Sequence, residues 1–130
     1  MRTAMRANII VVDDDKAVRD SLKFSLELDG HTVHTCDGAR SLLAYPGLKD
    51  AACVVMDYHM PGTDGLGLHK ALKAQGLRVP VIMITSSVTS DLCQRARAAG
   101  IFSVVEKPLE DGVLQRQVHT ALAASCSSSP

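Results

Sequence analysis

Apolar residues cluster in four short runs along this chain: Ile9–Val12, Ala51–Met56, Val79–Ile84 and Phe102–Val105. Runs of this length fit strands buried on both faces of a parallel sheet. Pro80 stands near the start of the third, where a missing N–H donor is tolerated. A fifth stretch, His31–Thr35, is short and polar and predicts an edge strand. The segments between carry helical spacing. Lys16–Asp29 places Val18, Leu22 and Leu26 in one stripe, with Asp15 as its cap and Gly30 as its stop. Gly38–Tyr45 predicts a short helix ended by Pro46-Gly47. After a turn at Pro61-Gly62, Asp64 can cap a helix lined by Leu68, Ala71, Leu72 and Gln75 and ended by Gly76. Thr89, Ser90 or Asp91 can cap the next, with Leu92, Ala96 and Ala99 inward, Arg95 and Arg97 outward, and Gly100 closing it. A last helix, from about Glu110 to Ala124, buries Val113, Leu114, Val118 and Ala121. Five strand–helix pairs with short connections demand an α/β doubly wound fold, a parallel sheet covered on both faces. One domain is expected over residues 8–124, with flexible termini at 1–7 and 125–130.

Composition narrows the partners. The 130 residues are enough for a single core without covalent staples, and the formal net charge is zero. No global field therefore recruits nucleic acid or an anionic membrane. Aromatic residues make up 3% of the chain, and no helix-turn-helix follows the last helix, so Arg95, Arg97 and Arg116 do not read as a nucleic-acid patch. The basic N-terminus precedes an apolar run too short for a signal peptide, and no stretch is long enough to span a bilayer, so the chain reads as cytoplasmic. Cys36, Cys53, Cys93 and Cys126 are scattered without a C-x-x-C pair, which argues against a zinc site or a disulfide framework. His31, His34, His69 and His119 fit no ligand spacing and read as surface residues, while Tyr58 reads as a packing or rim residue.

The candidate chemistry lies where the strands end. Parallel strands direct their C-terminal ends to one edge of the sheet, and doubly wound sheets bind ligands there. The residues at those ends are Asp13 and Asp14, Asp57, Thr85 and Lys107. Taken alone, Asp57 reads as a turn residue; the convergence of four strand ends changes that reading. Three neighbouring carboxylates raise one another's pKa unless a cation compensates. All-oxygen ligation suits a hard cation such as Mg²⁺, which binds through one or two carboxylates together with phosphate. A carboxylate can attack phosphorus to give an aspartyl phosphate. Lys107 would then offer charge, and Thr85 a hydroxyl, to the phosphoryl oxygens.

In these features the chain resembles the receiver domains of two-component response regulators, the CheY-like superfamily. The resemblance is carried by Val11-Val12-Asp13-Asp14-Asp15, by Met56-Asp57-Tyr58-His59-Met60-Pro61-Gly62-Thr63-Asp64-Gly65, and by Ile84-Thr85-Ser86, Ala99-Gly100 and Glu106-Lys107-Pro108. It implies a flavodoxin-like (βα)5 three-layer sandwich with strand order 2-1-3-4-5. It implies that Asp57 is phosphorylated by a sensor histidine kinase or a histidine phosphotransfer protein. Mg²⁺ or Mn²⁺ would be held by Asp13, Asp14, Asp57 and the backbone carbonyl of His59. Thr85 takes the place of the switch hydroxyl and Lys107 that of the phosphate-binding lysine, and the Lys107–Pro108 bond is expected to be cis. His59 and Ser87 stand at positions that tune dephosphorylation. The domain would be a signalling switch, not an enzyme with a substrate of its own: it would change its partner-binding face, with homodimerisation as one outcome, and control transcription through an output domain.

Two positions depart from the family's pattern. Val104 stands where a tyrosine or phenylalanine usually forms a rotamer switch, and Phe102 is expected on the same side by period two. Gly67 replaces a residue that is often charged and, with Gly65, should weaken the start of its helix. Two other readings compete. Asp13-Asp14-Asp15 contains the D-x-D of small Asp-nucleophile phosphatases, though Lys16-Ala17 and the short length speak against that class. The other is a phosphorylation-independent pseudo-receiver that serves as a binding module.

Overall fold

The computed structural model describes residues 7–60, 62–110 and 112–127, with side chains described as far as 124. Strands β1 (Asn8–Val12), β2 (Thr32–Cys36), β3 (Cys53–Asp57), β4 (Val81–Thr85) and β5 (Ser103–Glu106) form one sheet. Its order is β2-β1-β3-β4-β5, with every neighbouring pair parallel. The helices are α1 (Lys16–Leu28), α2 (Ala39–Ala44), α3 (Gly65–Ala74), α4 (Ser90–Ala99) and α5 (Val113–Ser127). Every residue of β3 and β4 is buried, as expected of strands in the middle of a covered sheet. The polar β2 takes the edge beside β1.

Alternation along the strands divides the core in two. Ile10, Val12, Val54, Met56, Val81 and Met83 pack towards α2, α3 and α4 through Leu42, Leu68, Leu72 and Leu92. Ile9, Val11, Val55, Ile82 and Ile84 pack towards α1 and α5 through Leu22, Leu26, Leu114 and Val118. This is the three-layer sandwich that the pattern predicts.

Most caps fall where the residue types place them. Asp15 accepts the N–H groups of Ala17 and Val18, Asp64 that of Gly67, and Thr89 that of Leu92. Gly30 and Gly100 take positive φ at the ends of α1 and α4, where a side chain would be strained. Other boundaries differ. α5 begins at Val113, not near Glu110, and continues to Ser127. His59–Met60 and Thr63–Asp64 form a two-residue antiparallel ladder that the sequence pattern did not predict. Gly62 in its turn has φ +86°, while Pro61 lies outside the described residues. The flexible ends expected at 1–7 and 125–130 fall largely outside them too; Ala7 accepts the Thr32 N–H at 3.0 Å.

Four expectations about side chains are overturned. Gln75 caps the end of α3 and is exposed, not part of its lining face. His31 and His69 are buried, not on the surface: His31 is folded in where the turn after α1 ties its N–H to the Leu26 carbonyl, and His69 stands on the inner face of α3. Phe102 does not share a side with Val104. It sits in a bend before β5 begins and packs with the α1/α5 half of the core, whereas Val104 packs with the other half. Period two fails there because Phe102 lies outside the strand.

Candidate functional site

Backbone hydrogen bonds continue the ladders one step past the strand ends and so fix the residues that matter. The Asp13 N–H donates to the Cys36 carbonyl at 3.1 Å, that of Tyr58 to Ile84 at 2.8 Å, and that of Lys107 to Thr85 at 2.8 Å. β1 and β3 are neighbours in the sheet, so Asp13 and Asp57 emerge side by side. Asp13, Asp14 and Asp57 each offer a carboxylate oxygen, and these oxygens lie within 4.8 Å of one another. Asp13 and Asp57 are buried, whereas Asp14 is exposed. The exposed side opens to a depression of about 350 Å³ lined by Asp14, His59, Met60, Thr63 and Asp64.

Lys107 comes from the end of β5, and its Nζ lies 3.4 Å from Asp57 Oδ2 and 3.5 Å from Asp13 Oδ2. The Lys107–Pro108 peptide is cis. Asp13 Oδ1 accepts the Asp15 N–H at 2.9 Å, and Asp57 Oδ1 accepts the His59 N–H at 3.4 Å. Burial pushes the Asp13 carboxyl above its ordinary pKa and the neighbouring Asp57 charge adds to this, while the Asp15 N–H and Lys107 pull the other way. A buried carboxylate pair facing a third carboxylate, with one ammonium among them, has room for more positive charge. An all-oxygen set of this kind fits a hard divalent cation.

Thr85 is fully buried at the end of β4, its hydroxyl 3.3 Å from the Ser87 N–H and 3.4 Å from the Ser87 carbonyl. The structure therefore brings Asp13, Asp14, Asp57 and Lys107 into one cluster and sets Thr85 between the strands of Asp57 and Lys107. His59 flanks it, with its ring 4.8 Å from that of Tyr58 in an edge-to-face arrangement. Cys36 and Cys53 take no part: both are buried, and burial pushes their thiols up to about 11 and about 12.

Two supporting roles were not read from the sequence. Arg19 Nη1 donates to the Asp13 carbonyl at 2.7 Å and so ties α1 to the acidic loop. Gly65 lets α3 start directly against the Asp57 strand end, since a Cβ there would lie 3.0 Å from Met83 Cε, 3.2 Å from Tyr58 Cα and 3.3 Å from the Asp57 carbonyl oxygen. A basic residue six positions beyond Asp13 is no recognisable signal, but a glycine at a helix's first residue does hint at close approach.

Comparison with known proteins gives the family and the fold. Residues 9–119 match the response regulator receiver domain family. The transcriptional regulatory protein FixJ of Bradyrhizobium diazoefficiens is 40% identical over 118 residues, covering 90% of this chain and 57% of FixJ. The chain thus spans little more than half the length of that relative. The crystal structure of FixJ-N superposes with a TM-score of 0.81 at 30% identity, covering 95% of this chain and 96% of that one. The chemotaxis protein CheY4 of Vibrio cholerae shares the fold, with a TM-score of 0.84 at 24% identity over 90% of this chain and 99% of that one.

Proposed function

The chain belongs to the response regulator receiver domain family, and from that membership we propose that Asp57 is its phosphoacceptor. The observation that carries the reading is Lys107, whose ammonium stands between the buried carboxylates of Asp13 and Asp57. Strands that are far apart in sequence supply both signs of charge to one edge of the sheet, an arrangement suited to receiving a phosphoryl group.

In the proposed reaction an Asp57 carboxylate oxygen attacks the phosphorus of a phosphohistidine on a sensor kinase or phosphotransfer protein. The new P–O bond forms as the P–N bond breaks, and the departing imidazole takes up a proton. Lys107 holds one phosphoryl oxygen, and Thr85 donates to another once its hydroxyl leaves Ser87. Asp13, Asp14, Asp57 and the His59 carbonyl would hold Mg²⁺ or Mn²⁺, which when bound neutralises charge on the phosphoryl oxygens. His59 and Ser87, at the rim, would set the access of hydrolytic water. Residues 8–124 form the receiver unit, placed in the cytoplasm with its kinase, and the domain drives only its own phosphorylation and dephosphorylation. FixJ is named as a transcriptional regulator, so control of transcription through an output domain, and homodimerisation on phosphorylation, belong to the same proposal. Among the described residues no helix is long and apolar enough to cross a membrane.

The test is labelling by a small phosphodonor. Mg²⁺-dependent labelling of the parent and none of Asp57→Asn is the expected result. Labelling of Asp57→Ala at the parent's level would overturn the assignment. Turnover of phosphomonoesters that is lost in Asp13→Asn but kept in Asp57→Asn would point to the phosphatase class instead.

A further inference from the structure

At the far end of α1, away from the acidic cluster, three side chains gather that no sequence spacing connects. Asp29 follows the last turn of α1, His31 precedes β2, and His119 lies on α5. His31 Nε2 is 3.9 Å and His119 Nε2 3.7 Å from the same oxygen, Asp29 Oδ2, and the two rings are 6.4 Å apart. Both separations are too long for a hydrogen bond. Asp29 Oδ2 and both ring nitrogens of His31 are buried without a partner, and the His31 side chain is wholly buried. A native fold seldom leaves such atoms unsatisfied together.

The electrostatics ask for a cation. The C-terminal end of α1 carries the negative end of its dipole, and its last turn holds no basic residue to offset this. The segment is also held firmly. Asp29 and His31 donate backbone N–H groups to the Leu26 carbonyl at 3.1 and 3.3 Å, and Gly30 donates to Glu27 at 3.0 Å. Two ligands would thus be fixed in advance, while the third, the half-exposed His119, has freedom to swing.

We propose that Asp29, His31 and His119 form a binding site for a borderline transition-metal ion such as Zn²⁺, which would fasten α5 to the α1–β2 turn. Two imidazole nitrogens and one carboxylate oxygen are the donor set of such ions, not of Mg²⁺. Neighbouring ligand atoms around tetrahedral Zn²⁺ stand roughly 3.3 Å apart, given metal–ligand distances of about 2.0–2.1 Å. Closing the two contacts to Asp29 takes about half an ångström each. The two imidazoles, whose nitrogens stand more than 4.8 Å apart, must close by more, which the swing of the half-exposed His119 would supply. A water would complete the shell on the open side of His119.

The experiment is a calorimetric titration of the protein with Zn²⁺ in saturating Mg²⁺, so that the acidic cluster is already occupied. It compares the parent with His119→Ala and Asp29→Asn, and thermal melts confirm that each variant is folded. One Zn²⁺ per chain is expected, with affinity at least about tenfold weaker in both variants, since even indirect support of a ligand is worth that much. Absence of Zn²⁺ uptake by the parent, or undiminished affinity in either variant, would overturn the proposal. The titration involves no phosphoryl transfer, so its outcome is independent of the role of Asp57.

Discussion

The Lys107 ammonium lies 3.4 Å from the Asp57 carboxylate, although β4 separates their strands in the sheet. That reach crosses Thr85, whose carbonyl holds the Lys107 backbone at 2.8 Å. One residue of β4 thus sets the position of the cation that faces a residue of β3. Because the same ammonium faces Asp13, it competes with any metal ion for the same negative charge.

Replacing this lysine should therefore separate two properties. In Lys107→Ala the initial rate of Asp57 labelling should fall by on the order of 10²-fold, as for the loss of one donor to a developing anion. Mg²⁺ affinity in the same variant, measured by calorimetry, should rise, since the competing cation is gone. A fall in both would mean that Lys107 mainly holds the cluster's shape.

Asp13→Asn should stabilise the metal-free fold. Burial and the charge of Asp57 raise the Asp13 pKa in the folded state, so the fold holds this proton more tightly than the unfolded chain. The stability linked to it is complete below the unfolded pKa and is lost as pH rises through the higher folded value. At neutral pH the ionised group is thus a cost, which asparagine removes while still accepting the Asp15 N–H. Urea denaturation in EDTA should show a gain of about 1 kcal/mol, an ordinary size for a single substitution. Added Mg²⁺ should stabilise the parent and not the variant.

His69 contributes a pH dependence near neutrality. Burial first, and then the Lys73 charge, lower its pKa, so the fold favours the neutral ring. Its contribution is complete above the unfolded value of about 6.5 and is lost as pH falls below that. Its buried Nδ1 has no partner, so an apolar replacement forfeits no hydrogen bond at that atom. His69→Leu should lose less stability than the parent between pH 7.5 and 5.5 in parallel urea titrations.

Gly65→Ala tests the close approach of α3. Its methyl would press on Met83 Cε, Tyr58 Cα and the Asp57 carbonyl, two of them backbone atoms that cannot turn aside. The expected cost is about 1–3 kcal/mol, despite alanine's better helix propensity. Thermal denaturation and the labelling rate of Asp57 should both register it.

Much of this was legible in the residues because strand ends are local events. An apolar run that stops at Asp13, Asp57, Thr85 or Lys107 declares its boundary, and parallel topology does the rest. The side chains that escaped were those decided by tertiary packing. His31 and His69 look alike to His34 and His119 in sequence, yet the first two turn inward. Phe102 obeys period two only if the strand has begun, and it begins one residue later. Gly65 and Gly67 read as weaknesses of a helix, whereas Gly65 is a fit to the strand beside it. Asp29, His31 and His119 meet only because α5 lies against the end of α1.

The Asp13–Lys107 contact joins residues 94 positions apart. During synthesis the aspartates leave the ribosome well before the last strand, and a protein folds as its segments become available. An unfinished chain would expose the acidic residues without the ammonium that completes their cluster. Under the proposed function, full competence to take a phosphoryl group would arrive only with β5, which would leave half-made chains slow to draw phosphate from a donor.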